Sequence, residues 1–231
     1  MTKIYSLIAF ILFSLPQMLS AQKDQIPLEI QLEQNSERQL IKIGMISASK
    51  PAKLKFGTYS TDDRKGQSMT EGGNSTKLLF SFNVNNSQGD VAKVEASAGK
   101  DSKDQNDTSV YISTNLDQED LWVLLVGTSP ESTDLSVHNI FLTNGDKEIT
   151  FKNVIGFPTN KSELTAPKGI EVFIDDYPIA AMQYYSGGSF SYKKFIWISE
   201  ESEPQLQLVM AAVFSSLLEI GDYFDGNGFT D

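Results

Sequence analysis

The chain has 231 residues, a single histidine, no cysteine and a formal net charge of −11. The lack of cysteine excludes a disulfide-stapled module, and one histidine with no cysteine leaves a transition-metal site without its usual ligands. The acidic charge repels nucleic acid and anionic lipid, so neither is predicted as a partner for the protein as a whole.

A signal peptide is the first predicted element, over residues 1–21. Lys3 gives a positive start, residues 4–15 are almost wholly apolar, and Ser20-Ala21 supplies small residues before Gln22. We therefore expect export to the periplasm or the extracellular space of a bacterium. The alternative is an uncleaved membrane anchor, although the apolar run is shorter than the roughly 18 to 20 residues that a spanning helix needs.

Residues 22–231 are predicted to form one β-rich domain. Residues 28–32 and 77–84 alternate apolar and polar positions at period two, which indicates half-buried strands. Residues 121–126 and 195–198 are apolar at nearly every position, which predicts strands covered on both faces. These rules give about twelve strands.

Turn residues separate the predicted strands. Asn144-Gly145 is the strongest hairpin signal, and residues 85–89 and 175–178 predict further turns. Residues 62–75 and 98–108 are rich in Gly, Ser, Thr and charge, so we predict that both are exposed loops.

The C-terminal segment predicts a helix over about residues 204–220. Ser202 and Gln205 have the spacing of a capping box, Pro204 suits the first turn, and Gly221 is a natural stop. The apolar residues go most of the way round this helix, so it must be buried on nearly all sides.

The predicted fold class is therefore mostly β. We expect a closed or nearly closed antiparallel barrel of about twelve strands around the buried C-terminal helix, because a sheet wrapped around the helix covers all its apolar sides. A β-sandwich with one packed helix is the alternative.

The last third of the chain resembles the ending of tubby-like proteins, a group that includes the LURP-one-related and phospholipid scramblase proteins. The similar segments are residues 172–183, an aromatic strand at 195–198, the helix at 204–218 and Asp222-Tyr223-Phe224. This ending is also similar to that of bacterial secreted proteins without an assigned role. The resemblance implies a closed barrel around a hydrophobic C-terminal helix.

The function of that group does not transfer with the fold. Tubby proteins bind phosphoinositides through a basic groove, whereas this chain is acidic and has no matching pattern of lysine and arginine. The acidic calcium loop of scramblases precedes their helix, whereas the Asp-rich tail here follows it. No ligand residue is therefore carried over.

His138, the single histidine, lies on a predicted strand between Val137 and Asn139. A Ser/His/Asp triad would have to use it, and no nucleophile motif accompanies it. We interpret His138 as a packed or surface residue.

Carboxylate chemistry such as glycoside hydrolysis needs two acids at a set separation, one of them with a raised pKa. The candidates lie at predicted strand or helix ends, where acids commonly solvate turns or complement a helix N-terminus. They are Asp175 and Asp176, Glu119 and Asp120, and Glu200, Glu201 and Glu203. A structural role is the preferred interpretation for all of them.

The tail at residues 222–231 contains Asp225-Gly226-Asn227-Gly228, which is similar to the middle of a calcium loop. Tyr223 stands where the first Asp ligand belongs, and the bidentate Glu of position twelve is missing. We therefore predict no metal site, no cofactor site and no catalytic residue.

Another set of residues is interpreted as core, because aromatic pairs across strands are ordinarily packing. It consists of the aromatics around Gly187-Gly188, which are Tyr184, Tyr185, Phe190, Tyr192, Phe195 and Trp197.

The sequence leaves three functional hypotheses open. The first is an exported non-enzymatic protein with a binding or structural role in the bacterial envelope. The second is a lipid-binding or membrane-associated protein, which an apolar cavity or a large exposed apolar patch would favour. The third is a hydrolase that uses two carboxylates, which requires two acids facing one cleft.

Overall fold

The computed structural model describes residues 25–44, 53–71, 75–100, 106–117, 120–128, 140–158, 166–187 and 193–225. The predicted signal peptide lies outside these residues. They contain two helices and thirteen strands, and all the strands belong to one sheet. The helices are α1 (Ile30–Gln34) and α2 (Pro204–Asp225), and the strands are β1 (Gln39–Leu40), β2 (Lys42–Ile43), β3 (Leu54–Phe56), β4 (Tyr59–Glu71), β5 (Ser75–Asn85), β6 (Val91–Lys100), β7 (Asn106–Thr114), β8 (Leu121–Thr128), β9 (Ile140–Thr143), β10 (Glu148–Ile155), β11 (Lys168–Ile174), β12 (Tyr177–Tyr185) and β13 (Phe195–Ile198).

The order of the strands brings the sheet back to the segment where it began. From β3 to β13 each strand pairs antiparallel with the next, β1 pairs with β13, and β2 pairs with β3. Since only Ile41 separates β1 from β2, one short extended segment supplies both edges. The sheet is therefore a nearly closed antiparallel barrel, and the predicted fold class is confirmed.

Helix α2 fills the middle of the barrel. Every residue from Leu208 to Ile220 is buried, and the inward side chains of the strands, such as Val94 and Val110, join the helix in one hydrophobic cluster. The hydroxyls of Ser215 and Ser216 donate to the carbonyls four residues earlier, each at 2.8 Å, so these polar groups are satisfied inside the helix. The prediction that this helix is buried on nearly all sides is confirmed.

Both ends of α2 differ in detail from the sequence prediction. The helix continues past Gly221 to Asp225, because a helical glycine costs only about 1 kcal/mol and the preceding four turns are already held by burial. The amide of Gln205 donates to Asp120 Oδ2 at 2.8 Å, rather than reaching back to Ser202 as a capping box requires. Asp120, which is distant in sequence, thus takes the place of Ser202 as the hydrogen-bond partner of Gln205.

Residues 25–36, which we call the strap, cover the outside of β11 to β13. The prediction of a strand at residues 28–32 is wrong, since residues 30–34 form α1, where Leu32 alone is buried. Ile26 and Leu32 of the strap pack with Ala181 and Trp197 in a second, smaller hydrophobic cluster. Gly169 permits this contact, since a Cβ there would lie 2.6 Å from the side chain of Ile26 and 2.5 Å from a backbone carbonyl. Because α2 covers the inner face of β13 and the strap covers the outer face, the prediction for residues 195–198 is confirmed.

Two buried polar side chains hold the strap to the sheet. The backbone N–H of Ile26 donates to Gln183 Oε1 at 3.0 Å, and that of Glu29 donates to Glu171 Oε1 at 2.9 Å. Burial raises the pKa of Glu171 above its usual value of 4.5, and the hydrogen bond from Glu29 opposes that rise.

Replacing Glu171 by glutamine is expected to remove part of the pH dependence of stability. Because the pKa of Glu171 is raised in the folded state, the folded chain holds this proton more tightly than the unfolded chain does. The free energy of unfolding therefore falls as the pH rises from about 4.5 through the raised pKa. Urea unfolding at intervals from pH 4 to pH 8 should show the variant gaining stability relative to the native chain over that window.

A glutamine at Glu33, an exposed acid of the strap, is the matched control for Glu171. Its stability curve should run parallel to that of the native chain. Parallel curves for the Glu171 variant as well would show that the carboxyl does not hold its proton in the folded state.

Strand β8 differs from its prediction. Its inner residues Trp122, Leu124 and Val126 are buried, but its outer residues Leu121 and Leu125 are exposed. The expectation that residues 121–126 are covered on both faces is therefore wrong for the outer face in the part of the chain that the structure describes.

The two predicted loops are strand wherever the structure describes them, and residues 72–74 and 101–105 lie outside the described residues. Strand β4 extends to Glu71 and β5 starts at Ser75, while β6 extends to Lys100 and β7 starts at Asn106. Backbone hydrogen bonds across a hairpin do not depend on apolar side chains, so these polar stretches continue the pairing of their neighbours. The turns at 85–89 and 144–145 lie where they were predicted, whereas of the turn predicted at 175–178 only residues 175–176 form it, because Tyr177 and Pro178 begin β12.

Candidate functional site

Two depressions open at the end of the barrel where α2 begins, one on each side of residues 200–204. The larger, which we call the acidic groove, has a volume of about 540 Å³. The smaller, which we call the polar cleft, has a volume of about 380 Å³. Three chain segments that are far apart in sequence meet at the acidic groove: the β9–β10 turn, the β11–β12 turn and the segment leading into α2.

The floor of the acidic groove is apolar. It is formed by Ile174 at the end of β11, Ile179 in β12 and Leu206 in the first turn of α2. Ile179 and Leu206 belong to the main core, so the floor is continuous with the packed interior of the barrel. The ring of Tyr177 stands beside this floor and is 41% exposed. The groove therefore offers an apolar surface with one accessible aromatic ring.

The rim of the acidic groove carries five acids and one lysine: Asp146, Glu148, Asp175, Glu201, Glu203 and Lys147. The hydroxyl of Tyr177 donates to Glu201 Oε2 at 2.9 Å, and this hydrogen bond raises the pKa of Tyr177. Lys147 Nζ lies 3.8 Å from Glu203 Oε2, but both side chains are well exposed, so this ion pair is weak. The rim as a whole is negative.

Asp175 and Asp176, the first acid pair considered from the sequence, form the two-residue turn between β11 and β12. Their φ angles are 48° and 64°, and positive φ at both central residues is the feature of the type I′ turn that suits a tight hairpin. Aspartate tolerates this conformation better than most residues do. The turn places Asp175 on the rim of the acidic groove.

Asp120, from the second acid pair, connects three elements of the fold and does not line the acidic groove. Its carboxylate accepts from Trp122 Nε1 at 2.9 Å, from Asn144 Nδ2 at 2.8 Å and from Gln205 Nε2 at 2.8 Å. It therefore ties β8, the β9–β10 turn and the start of α2 together. Its partner in the pair, Glu119, lies outside the described residues.

The polar cleft uses its polar groups to hold the barrel together. The hydroxyl of Tyr59 donates to Gln207 Oε1 at 3.4 Å, and Gln207 Nε2 donates to the carbonyl of Ser202 at 2.7 Å. The side chain of Gln39 lies against Gly57, whose φ is +50°, and a Cβ at Gly57 would come within 2.4 Å of it. The cleft thus joins β4 to α2 through hydrogen bonds and β1 to the end of β3 through packing, which favours the acidic groove as the binding site.

Comparisons with family models, with curated proteins and with solved structures found nothing that matches this chain. The resemblance to tubby-like proteins accordingly stays a prediction.

Within the described residues, no group of three or more His, Cys, Asp or Glu side chains is arranged to hold a metal ion. The acids of the groove are thus spread along its rim rather than gathered at one point. Of the helices in the described ranges, none has the length and hydropathy to cross a membrane. His138 and residues 226–231 of the acidic tail lie outside the described residues, and residues 222–225 are the last of α2.

Sequence reasoning found only part of the groove. Asp175, Glu201 and Glu203 were among its candidates, whereas Asp146 and Glu148 were not. The missed acids directly follow the Asn144-Gly145 turn, where charged residues are ordinary. Only the pairing of β9, β10 and β11 in the sheet brings that turn beside the start of α2.

Proposed function

We propose that this protein is an exported, non-enzymatic binding protein of the bacterial envelope, and that the acidic groove holds a cationic segment of a partner protein. The observation that carries the proposal is the combination of an apolar floor and a negative rim in one cavity of about 540 Å³. Binding sites of this size are typically apolar surfaces with a few polar groups that set the specificity.

The apolar floor of the groove favours a ligand that has apolar groups next to its charge. The aliphatic stems of lysine and arginine pack on surfaces such as Ile174 and Leu206 while their charged ends stay in water. The exposed ring of Tyr177 can stack with a guanidinium or ammonium group, an interaction of roughly 0.5–1 kcal/mol at an exposed site. A basic peptide segment satisfies both features.

The negative charge of the rim favours a positively charged ligand. Five carboxylates and one ammonium surround the groove, and the whole chain carries a net charge of −11. Such a field attracts a cationic partner and accelerates its association, and the attraction weakens as salt is added.

Two observations favour binding over hydrolysis. Glu171, a carboxyl group with a raised pKa, lies under the strap and accepts a backbone hydrogen bond there, away from the groove. Asp120 is held by three hydrogen bonds that fix the fold. Neither is placed to act as the general acid of a hydrolase.

The protein partner is also favoured over an acyl chain. A lipid inside the barrel would need the space that α2 occupies, where Met210, Phe214 and Leu217 are fully buried. The negative rim would repel anionic headgroups.

Isothermal titration calorimetry tests the proposal with an amidated Lys-Leu-Lys-Phe-Lys peptide as the probe. Replacing Glu201 and Glu203 together by glutamine is expected to weaken binding by roughly 5- to 30-fold, since each exposed charge contributes about 0.5–1 kcal/mol. Binding by the native protein should weaken as the salt concentration rises. The matched control replaces Glu29 and Glu33, two exposed acids of the strap, by glutamine and should bind as the native protein does.

A Glu-Leu-Glu-Phe-Glu peptide that bound equally well would contradict the proposal, and so would a groove variant with unchanged affinity. Two other results would favour the alternatives. Release of reducing sugar from a polysaccharide, lost in the groove variant, would indicate a hydrolase. Co-flotation with phosphatidylcholine vesicles would indicate a lipid-binding protein.

A further inference from the structure

The outer surface of β7, β8 and β9 carries an exposed apolar patch, which we call the apolar face. It consists of Tyr111, Leu121, Val123, Leu125 and Phe141. Tyr111 is 46% exposed, Leu121 48%, Leu125 43% and Phe141 39%. Together these side chains leave on the order of 300 Å² of apolar surface open, a size at which a patch on a monomer is often functional.

Strand pairing makes the apolar face continuous. Tyr111 is opposite Val123 across β7 and β8, and Leu125 is opposite Phe141 across β8 and β9. Side chains in such pairs lie on the same side of the sheet, about 4.5–5.5 Å apart at Cβ. The five residues therefore form one surface on the wall of the barrel, whereas the acidic groove lies at its end.

The apolar face is uncharged at its centre and charged at its edges. The other outward residues that the structure describes between its side chains are Ser109, Ser113 and Thr143. On one side β6 presents the ion pair of Lys93 and Glu95, whose charged atoms are 2.6 Å apart, and on the other side β10 presents Glu148 and Lys152. An apolar centre with aromatic residues and a charged rim is the anatomy of a protein interface.

Strand β8 is apolar at nearly every position, and β13 of the same chain shows what such a run of apolar residues is used for. Residues 195–198 are equally rich in apolar residues, and there the strap covers the outer face. No described residue covers the outer face of β8 in this way, and Leu121 and Leu125 remain exposed. Burial on both faces is thus complete for β13 and incomplete for β8.

We infer that the apolar face pairs with the same face of a second copy of this chain. Two uncharged sheet faces can stack about 10 Å apart without burying a charge. Each rim carries one lysine and one glutamate, so two copies can oppose unlike charges at both edges, and the charged strands extend the contact toward the roughly 800 Å² per partner that a stable interface buries. A membrane-binding patch would instead need a rim of basic residues.

Sedimentation equilibrium on protein purified from cells that express the full chain tests this pairing. The native protein is expected to be a dimer at about 10 μM, and Leu125→Glu is expected to weaken the dimer by roughly 100-fold or more, because it buries an unpaired carboxylate from each copy in the apolar contact.

Ile155→Glu is the matched control, because Ile155 is 66% exposed at the far end of β10 and outside the apolar face. It should dimerise as the native protein does, and circular dichroism should show that every variant is folded. Phe141→Glu gives a second test of the same surface. A native protein that remains a monomer at about 100 μM would overturn the inference, as would a dimer that survives both Leu125→Glu and Phe141→Glu. A monomer that floats with phosphatidylcholine vesicles would assign the face to a membrane instead.

Discussion

Replacing Ala212 or Phe214 by aspartate is expected to abolish folding. Both side chains have 0% exposure at the middle of α2, where the barrel surrounds the helix, and both belong to the main hydrophobic cluster. Burying an unpaired carboxylate costs several kcal/mol or more, and a domain of this size has only about 5–15 kcal/mol of stability. Thermal unfolding followed by circular dichroism, together with the yield of soluble protein, would measure the effect.

Pro204→Asp is the matched control, since it adds the same side chain at the exposed first residue of α2. An acid in the first turn complements the positive end of the helix dipole, so stability should change by less than about 1 kcal/mol. Near-native unfolding of Ala212→Asp and Phe214→Asp would contradict the central position of the helix.

Replacing Arg64 by alanine is expected to lower the free energy of unfolding by about 3–5 kcal/mol, because it leaves a buried charge without its partner. The guanidinium of Arg64 contacts the carboxylate of Glu219 on α2, and the Glu219 side chain is only 9% exposed. Replacing both residues by leucine removes both charges and keeps the space filled, so this variant should lie much closer to native stability.

Urea unfolding of the two single leucine variants and the double variant gives the coupling energy between Arg64 and Glu219. The cycle is needed because Arg64 makes other contacts as well. A coupling energy below about 1 kcal/mol would show that solvent screens the pair. Such a result would place this contact at the surface rather than in the wall of the barrel.

A bulge in β4 creates this ion pair. The pairing of β4 with β5 shifts between Asp62 and Lys65, and Asp63 has a φ of 47°. Without the shift, the alternation that turns Thr61 inward would turn Asp63 inward too, toward Glu219. The extra residue turns Arg64 inward instead, so a β-bulge re-aims one side chain of the wall.

The fold class was predictable because its signals are local. The side chains of α2 are apolar all round the helix, so the helix must be covered on every side. The strands predicted from alternating apolar and polar residues supply this cover. Turn chemistry at Asn144-Gly145 and Asp175-Asp176 placed two of the hairpins correctly. Each of these signals depends on residues within a few positions of one another.

The errors occur where neighbours in space decide the outcome. Residues 62–71 belong to a predicted loop because their side chains are polar, yet they pair with β5 along most of its length. Gly221 was predicted to end the helix, yet the helix continues through it. Backbone pairing in the first case, and burial of the helix in the second, outweighed a local preference of about 1 kcal/mol per residue.

By itself the sequence determined an acidic, cysteine-free chain with many strands and a helix that has to be enclosed, because hydrophobic periodicity and turn residues act over short distances. Only the tertiary structure decided which surfaces stay open. The pairing of β9, β10 and β11 brings two turns beside the start of α2 at the acidic groove, and the strap covers β13 while the described chain leaves β8 exposed. Contacts between residues tens of positions apart leave no periodic trace in the sequence, so the candidate site and the apolar face could be found only in the folded molecule.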